Sequence, residues 1–436
     1  MSSTSSQAPS RLEAAKWLAL TAAILGWMFD GLEMGIFPLV GKPALKEMLG
    51  GAPIGTWFGI IIAVFLVGAA LGGVLLGWLG DRIGRTRAMV WSVLAYSLFS
   101  GLAAFVQAPW QLAILRFLAA LGMGGQWALG VALVMEIWPS NSRPLMAGII
   151  GASANVGFLL IALLSLGLTS VITTLTQVFG AILPANWVTA LVQNGSWRLL
   201  MILSALPALL TFFIRMFVPE SEMWEQSSKK QVAKVSIGNL FQNGLAKSTL
   251  LGAALGAVAL LGTWGSVQWI PAWADKLSGK TPGVSAVVQM CSACGAIVFS
   301  IGFALIAEKL NRRIAYFALA LISLVACAIL FRIPMEYGAG FRFWTFLVGG
   351  ITAGFYGWLP LYLPELFPTR MRAMGSGFTF NAGRLFAAGG TLVSGQLLNY
   401  FHEDFAKMCS VISLVYLVGV ILIWFAPETK GKPLPE

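Results

Sequence analysis

The chain has 436 residues, of which 58% are hydrophobic and only 10% are Asp, Glu, Lys or Arg. Soluble domains carry about 25% charged residues, so this composition argues against a soluble multidomain protein and predicts a main apolar surface that faces lipid. The formal net charge of +11 predicts cytoplasmic loops beside an anionic inner leaflet, with the lipid bilayer and no nucleic acid as partner.

Twelve hydrophobic runs, bounded by charges and by Gly or Pro breaks, predict an all-α integral membrane protein. A hydrocarbon core of about 30 Å requires about 20 apolar residues in helical form. The polar stretch 1–10 does not resemble a cleavable signal peptide, so the first run is expected to be a retained span. The predicted transmembrane helices lie at residues 17–40, 55–79, 88–107, 110–137, 145–170, 197–218, 248–273, 283–307, 314–333, 341–363, 373–399 and 405–426.

The distribution of Lys and Arg predicts the orientation of the spans. Most of the 28 basic residues fall in segments on the same side as the N-terminus. Because cytoplasmic loops carry the excess of Lys and Arg, both termini are expected in the cytoplasm. We expect a monomeric multi-pass protein of the plasma membrane, which is the inner membrane in a bacterium. The uncharged segment 171–196 is expected to form an outer re-entrant or interfacial segment.

A polar linker at 219–247 and an internal repeat divide the spans into two groups of six. They predict two pseudo-symmetric six-helix bundles related by an axis along the membrane normal, with a substrate site between them near mid-membrane. We call residues 1–218 the first half and residues 248–436 the second half. The repeat pairs Glu136, Pro139 and Arg143 with Glu365, Pro368 and Arg372, Asn155 and Gly157 with Asn381 and Gly383, and Pro219 and Glu220 with Pro427 and Glu428.

A short charged loop joins the second and third predicted spans and reads G-W-L-G-D-R-I-G-R-T-R from Gly77 to Arg87. It resembles the pattern G-x-L-x-D-R-x-G-R-[RK] of the major facilitator superfamily, and Thr86 stands where that family usually has a base. A basic loop that only obeys the positive-inside rule is the alternative. The matching residues are Gly77, Leu79, Asp81, Arg82, Gly84 and Arg85.

The resemblance implies a carrier whose two halves rock about a central site, with loop motifs that gate access to it. The expected gating residues are Gly77, Asp81, Arg82, Gly84, Arg85, Glu136, Arg143, Glu365 and Arg372.

Two carboxylates, Asp30 and Glu33, lie well inside the first predicted span. Ionisable side chains inside a membrane are costly and are functional candidates by default. Three residues apart, the two acids share one helix face, and two neighbouring carboxylates do not easily both ionise. The pair is therefore expected to hold a proton near neutrality, with Arg116 on helix four as its partner at a depth compatible with Asp30. The alternative is a buried ion pair that only pins helix one to helix four.

Arg384 lies near the middle of the eleventh predicted span, and the repeat places Phe158 at its counterpart. It is therefore not a scaffold residue shared by both halves. A guanidinium offers a planar fork that suits a carboxylate, so we expect Arg384 to clamp an anionic substrate; a structural salt bridge is the alternative. The other candidate substrate-binding residues are Asn381, Gln126, Asn155, Gln268, Trp264 and Tyr356.

Helix one carries the sequence F-D-G-L-E around Asp30 and Glu33. It resembles the D-G-x-[DE] opening of aromatic-acid and sialate (organic-acid):proton symporters, whereas the P-E-T-K-G and P-E-S motifs resemble those of sugar porters. The first resemblance implies that Asp30, Glu33 and Arg116 serve proton coupling. The second carboxylate that those carriers have on helix four is not evident here, and Gln126 is the nearest polar group.

The sequence thus predicts proton-coupled symport of a small organic anion by rocker-switch alternating access. A neutral-sugar symporter and a non-transporting sensor on the same scaffold are the alternatives. We expect no enzyme, cofactor or metal site, because no nucleophile–base pair, metal cluster or phosphate loop is visible. Cys291 and Cys294 are expected to be packed thiols, and His402 a loop residue.

Overall fold

The computed structural model describes residues 8–50, 55–139, 141–182, 184–218, 220, 236–242, 244–279, 281, 283–432 and 435. Every regular element in these ranges is helical. Within the predicted linker 219–247, residues 221–235 lie outside the described part of the chain.

The first half contains the α-helices α1 (Ala8–Leu49), α2 (Gly55–Ile83), α3 (Arg85–Leu102), α4 (Pro109–Met123), α5 (Gln126–Ile137), α6 (Arg143–Gly180), α7 (Ala185–Val192), α8 (Trp197–Leu203) and α9 (Leu210–Phe217). The second half contains α10 (Leu245–Gly265), α11 (Ile270–Leu277), α12 (Val284–Lys309), α13 (Arg312–Arg332), α14 (Ala339–Glu365), α15 (Arg372–Tyr400), α16 (Phe405–Ile412) and α17 (Val415–Leu422).

Ten stretches of the described chain are long and apolar enough to cross a membrane, and the prediction of spanning helices is confirmed for them. Two predicted spans are not among the ten. Helix α15 covers the predicted span 373–399 but is rich in Gly, Ser and Asn and carries Arg384. The predicted span 197–218 is divided into α8, a 3-10 turn at Leu206–Leu209, and α9. Pro207 lies in that turn, and proline interrupts a helix because it lacks a backbone N–H.

The uncharged segment 171–196 is largely helical. Helix α6 continues through its first part to Gly180, and α7 follows at Ala185–Val192. Ile182 and Trp187 expose 75% and 53% of their surface there. Apolar exposure in an uncharged segment agrees with the predicted interfacial position, which stays a prediction.

The two halves meet along two principal helix pairs, α2 with α15 and α6 with α12. Small residues allow these helices to approach closely. A Cβ atom on Gly151 of α6 would collide with the backbone carbonyl of Tyr356 on α14, and one on Gly73 of α2 would collide with the Asn381 side chain. This packing brings α6 of the first half against α14 of the second, and Trp27 of α1 against Phe380 of α15, with ring centres 6.2 Å apart.

Candidate functional site

A small cavity lies between the halves, with walls supplied by both of them. Its volume is about 50 Å³, which is room for about four waters at roughly 10–15 Å³ each. Aromatic and amide side chains dominate its lining, and Arg384 is the charged residue in the described lining. The lining residues are Trp27, Met34, Gly151, Ala154, Asn155, Phe158, Leu260, Thr263, Trp264, Gln268, Tyr356, Phe380 and Arg384.

The residues predicted to bind substrate divide into two groups. Those that line the cavity are Arg384, Asn155, Gln268, Trp264 and Tyr356. Asn381 and Gln126 do not line it: Asn381 is fully buried beside Arg384, and Gln126 is buried against Gly26 of α1.

The Arg384 guanidinium is almost fully buried, with 2% of its surface exposed. Its Nη1 atom donates a hydrogen bond to Asn381 Oδ1 at 2.7 Å, and its Cζ atom stands 5.2 Å from the centre of the Phe380 ring. None of the ion pairs in the described part of the chain includes Arg384, although the charge of Asp30 acts on it through space. Its remaining N–H donors can therefore receive an anion in the cavity.

Arg116 forms its ion pair with Glu33, not with Asp30. Its Nη1 atom bonds Glu33 Oε1, and its Nη2 atom donates to the Glu33 backbone carbonyl at 3.3 Å. The expected Asp30 partnership is thus not observed: the two acids share one helix face but lie about 60° apart around the axis and about 4.5 Å apart along it, and Arg116 meets Glu33. This pair joins α1 to α4 within the first half.

Asp30 is fully buried, and neither of its carboxylate oxygens accepts a hydrogen bond from a described donor. Arg384 is the cation whose charge acts on it most strongly, across the contact between the halves. Asp30 does not itself line the cavity. It lies on α1 midway between Trp27 and Met34, which do line it, and residues at this spacing share one helix face.

Sequence reasoning missed the polar groups of α3 that surround the two acids. Ser100 Oγ donates to Glu33 Oε1 at 2.6 Å. Tyr96 is fully buried, and the charges of both Asp30 and Glu33 act on its hydroxyl. The signal was present in the sequence, because Ser92, Tyr96 and Ser100 recur every four residues and share one face of α3.

A buried charge network joins the halves at the ends of α2 and α5. Arg85 Nη1 pairs with Asp81 Oδ1 at 2.7 Å and Nη2 with Glu136 Oε1 at 3.2 Å. Two contacts then cross to the second half. The backbone N–H of Met374 donates to Asp81 Oδ2 at 3.1 Å, and Arg372 Nη1 lies 3.9 Å from Glu136 Oε1.

The other residues of the predicted gate lie around this network. Gly77 packs against the backbone of Ala373, and Arg82 stands over the Trp78 ring at 4.0 Å. Gly84 has a φ of 106°, which favours glycine. The charge of Glu365 acts on Arg143.

The second half repeats the arrangement with its own residues. Arg312 binds Glu365 through Nε at 3.1 Å and Nη2 at 2.8 Å, as Arg85 binds Glu136. Glu428 accepts the backbone N–H of Arg312 at 3.0 Å, as Glu220 accepts that of Arg85 at 2.8 Å. The repeated motifs thus occupy equivalent contacts.

The carboxylate of Glu428 caps the start of α13. Burial alone would raise its pKa, but hydrogen bonds from the backbone N–H groups of Lys430, Arg312, Arg313 and Thr429 outweigh burial and hold the pKa below its usual value. Hydrogen bonds to an ionised carboxylate favour the charged form. Glu428 therefore stays ionised at neutral pH.

We expect the substitution Glu136→Gln to destabilise the closed network. It removes the anion that faces both Arg85 and Arg372, and loss of one partner of a buried ion pair costs about 3 kcal/mol. Thermal unfolding of the purified protein should shift to lower temperature. The control is Glu403→Gln, which removes an exposed acid whose carboxylate lies 3.4 Å from Lys276 Nζ. Equal unfolding temperatures of the two variants would contradict the structural importance of the network.

The sequence profile of the Major Facilitator Superfamily matches residues 18–391. The chain is 29% identical over 94% of its length to a probable 4-methylmuconolactone transporter of Cupriavidus pinatubonensis, covering 90% of that protein. It is 26% identical over 97% of its length to a cis,cis-muconate transport protein of Acinetobacter baylyi, covering 98% of it. A sialic acid transporter of Escherichia coli is 24% identical over 93% of the chain and 92% of that protein.

Among solved structures, the proton:xylose symporter XylE bound to a bromodeoxyglucose matches with a TM-score of 0.75. The alignment covers 97% of this chain and 98% of that one at 17% identity. At this identity the likeness concerns the fold alone.

Proposed function

Because the chain belongs to the major facilitator superfamily and is a multi-pass membrane transporter, we propose that it performs proton-coupled symport of a small organic carboxylate. The two halves alternate access to the central cavity by rocking against each other. Relatives named for the transport of muconate and sialic acid support an organic acid as cargo.

The observation that carries this proposal is Arg384 in the wall of the central cavity. A buried guanidinium without an ion-pair partner among the described residues can bind a carboxylate through its planar fork. The neighbouring Trp264, Gln268 and Tyr356 would contact the rest of the ligand. A neutral ligand can accept hydrogen bonds from Arg384 but lacks the charge–charge attraction, so the cavity favours an anion.

The proposed proton coupling uses the charges of Asp30 and Arg384, which act on each other across the contact between the halves. Ionised Asp30 attracts the guanidinium and competes with the substrate carboxylate. When Asp30 takes up a proton, this competing charge is removed, Arg384 binds the substrate more tightly, and proton and anion then cross together. Glu33 and Arg116 hold α1 to α4 beside this site and complete its polar surroundings.

The proposed topology has twelve spans, in which α15 and the broken helix α8–α9 join the ten apolar candidates. Both termini face the cytoplasm, and the network of Asp81, Arg85, Glu136 and Arg372 closes the cytoplasmic side. The transporter acts as a monomer of two six-helix bundles, residues 1–218 and 248–436, connected by the linker 219–247.

A ligand panel tests the class of substrate. We expect cis,cis-muconate, nicotinate and other small carboxylates to raise the unfolding temperature of the purified protein, whereas hexoses and carboxamide analogues should not. Stabilisation by a hexose, with no response to any carboxylate, would favour a sugar symporter.

A further inference from the structure

We propose that Asn381 is a positioning residue that transmits occupancy of Arg384 to the contact between the two halves. The proposal rests on carboxylate binding at Arg384. It changes the expected role of Asn381, from a ligand contact in the cavity to a link behind it.

Asn381 is fully buried and bonds in three directions. Its Oδ1 atom accepts from Arg384 at 2.7 Å. Its Nδ2 atom donates to the carbonyl of Gly377 on its own helix at 2.8 Å and to the carbonyl of Gly124 in the first half at 3.3 Å. One amide thus connects the cavity arginine with the opposite half.

The acceptor in the first half lies at a helix end. Helix α4 ends at Met123, with Gly124 as its C-cap, and α5 begins at Gln126. The last carbonyls of a helix have no intrahelical partner, and a buried carbonyl without a partner is costly. Asn381 supplies a donor to Gly124 only while the two halves are in contact here.

Phe380 forms a second link of the same kind. Its ring lies under the Arg384 guanidinium and stacks on Trp127 of the first half, with ring centres 4.1 Å apart and planes 17° apart. Asn381 and Phe380, which both contact Arg384, therefore contact the first half as well.

The equivalent residue of the repeat does not make this link. Asn155 lines the cavity, and its amide bonds only Gly151 of its own helix, at 3.5 Å. Phe158 stands where the second half has Arg384. The link thus accompanies the arginine and is absent from the described part of the other repeat.

A carboxylate bound by the remaining N–H donors of Arg384 draws the guanidinium into the cavity, in competition with its hydrogen bond to Asn381 Oδ1. When the guanidinium turns to the carboxylate, it no longer holds the Asn381 amide toward Gly124 or covers Phe380. Binding then weakens the contact between the halves and favours the state in which they separate. A ligand shifts such an equilibrium only through contacts that differ between the two states, and this competition supplies one.

Distances between spin labels test the link without any ligand. The labels are placed at Arg87→Cys and Glu308→Cys, two exposed positions in different halves, after replacement of the four native cysteines. We expect Asn381→Ala to increase the population with separated labels about five-fold, since one net hydrogen bond between the halves is lost. The control is Thr391→Val, which removes a buried hydroxyl that bonds only its own helix.

The substitution Asn381→Ser serves as a second variant if Asn381→Ala does not fold, because serine can still bond Gly377 without reaching both Gly124 and Arg384.

A second measurement adds the ligand. Muconate at saturation should increase the population with separated labels in the wild-type background but increase it little further in either Asn381 variant. A wild type that binds no carboxylate at all would refute the proposed cargo and leave the ligand-free comparison standing. Distance distributions in the Asn381 variants that match those of Thr391→Val would overturn the inference.

Discussion

Substitution of Arg384 by alanine is expected to reduce carboxylate uptake more than 100-fold. Removing one partner of a buried, hydrogen-bonded charge pair costs about 3 kcal/mol or more, and each 1.4 kcal/mol is a factor of ten in binding. Arg384→Lys keeps the charge but loses the planar fork, so we expect a smaller loss, of about ten-fold. Initial rates of uptake into proteoliposomes measure both effects.

The control for this substitution is Arg332→Ala, which removes an exposed arginine whose Nε donates to Ser410 at 3.0 Å. It should transport at the wild-type rate. Carboxylate uptake that survives in Arg384→Ala would show that the guanidinium serves only the packing of α15, and the assignment of the anion site would be wrong.

Substitution of Asp30 by asparagine is expected to uncouple transport from the proton gradient. In the wild type, a gradient of one pH unit can sustain about ten-fold accumulation for each proton transported, because it stores about 1.36 kcal/mol. In Asp30→Asn the accumulation ratio should fall to about one, while exchange of labelled for unlabelled carboxylate continues. Accumulation at imposed pH gradients, compared with exchange at equal pH, measures this.

The same substitution predicts a change in the pH dependence of binding. Protonation of Asp30 frees Arg384, so wild-type affinity for the carboxylate should rise as the pH falls, whereas the affinity of Asp30→Asn should stay high and flat. Glu336→Gln, at an exposed position, is the matched control. An Asp30→Asn protein that still accumulates carboxylate in response to an imposed pH gradient would assign the coupling to another group.

The sequence was sufficient to find the residues with unusual chemistry. Charges inside apolar runs single out Asp30, Glu33, Arg116 and Arg384, since each would be costly in lipid. The structure buries all four. Only Arg384 reaches the cavity wall.

The pairing of those charges was not predictable, because it depends on the rotation of each helix about its axis. Asp30 and Glu33 differ by only about 60° around the helix axis and about 4.5 Å along it, so a small rotation of α1 decides which of them pairs with Arg116, and the observed partner is Glu33. Apolar periodicity does not fix that rotation in helices that are apolar on nearly every side.

The aromatic pair that stacks across the contact between the halves beside Arg384 had little sequence signal that would predict its contact. Trp127 and Phe380 are aromatic residues in a chain with 12% aromatic content, and their stacking follows from the way the two halves meet.

Breaks within helices were also missed. The predicted span 110–137 contains the break between α4 and α5 at Gly124, where the carbonyl that accepts from Asn381 is located.

Proton movement driven by the cargo tests the central claim most directly. Proteoliposomes with equal pH inside and outside, and a pH dye trapped inside, receive cis,cis-muconate on the outside. We predict acidification of the interior at a rate that follows muconate uptake in the wild type and no acidification in Asp30→Asn. Uptake of muconate without any proton movement, or proton movement driven by xylose and not by carboxylates, would contradict proton–carboxylate symport.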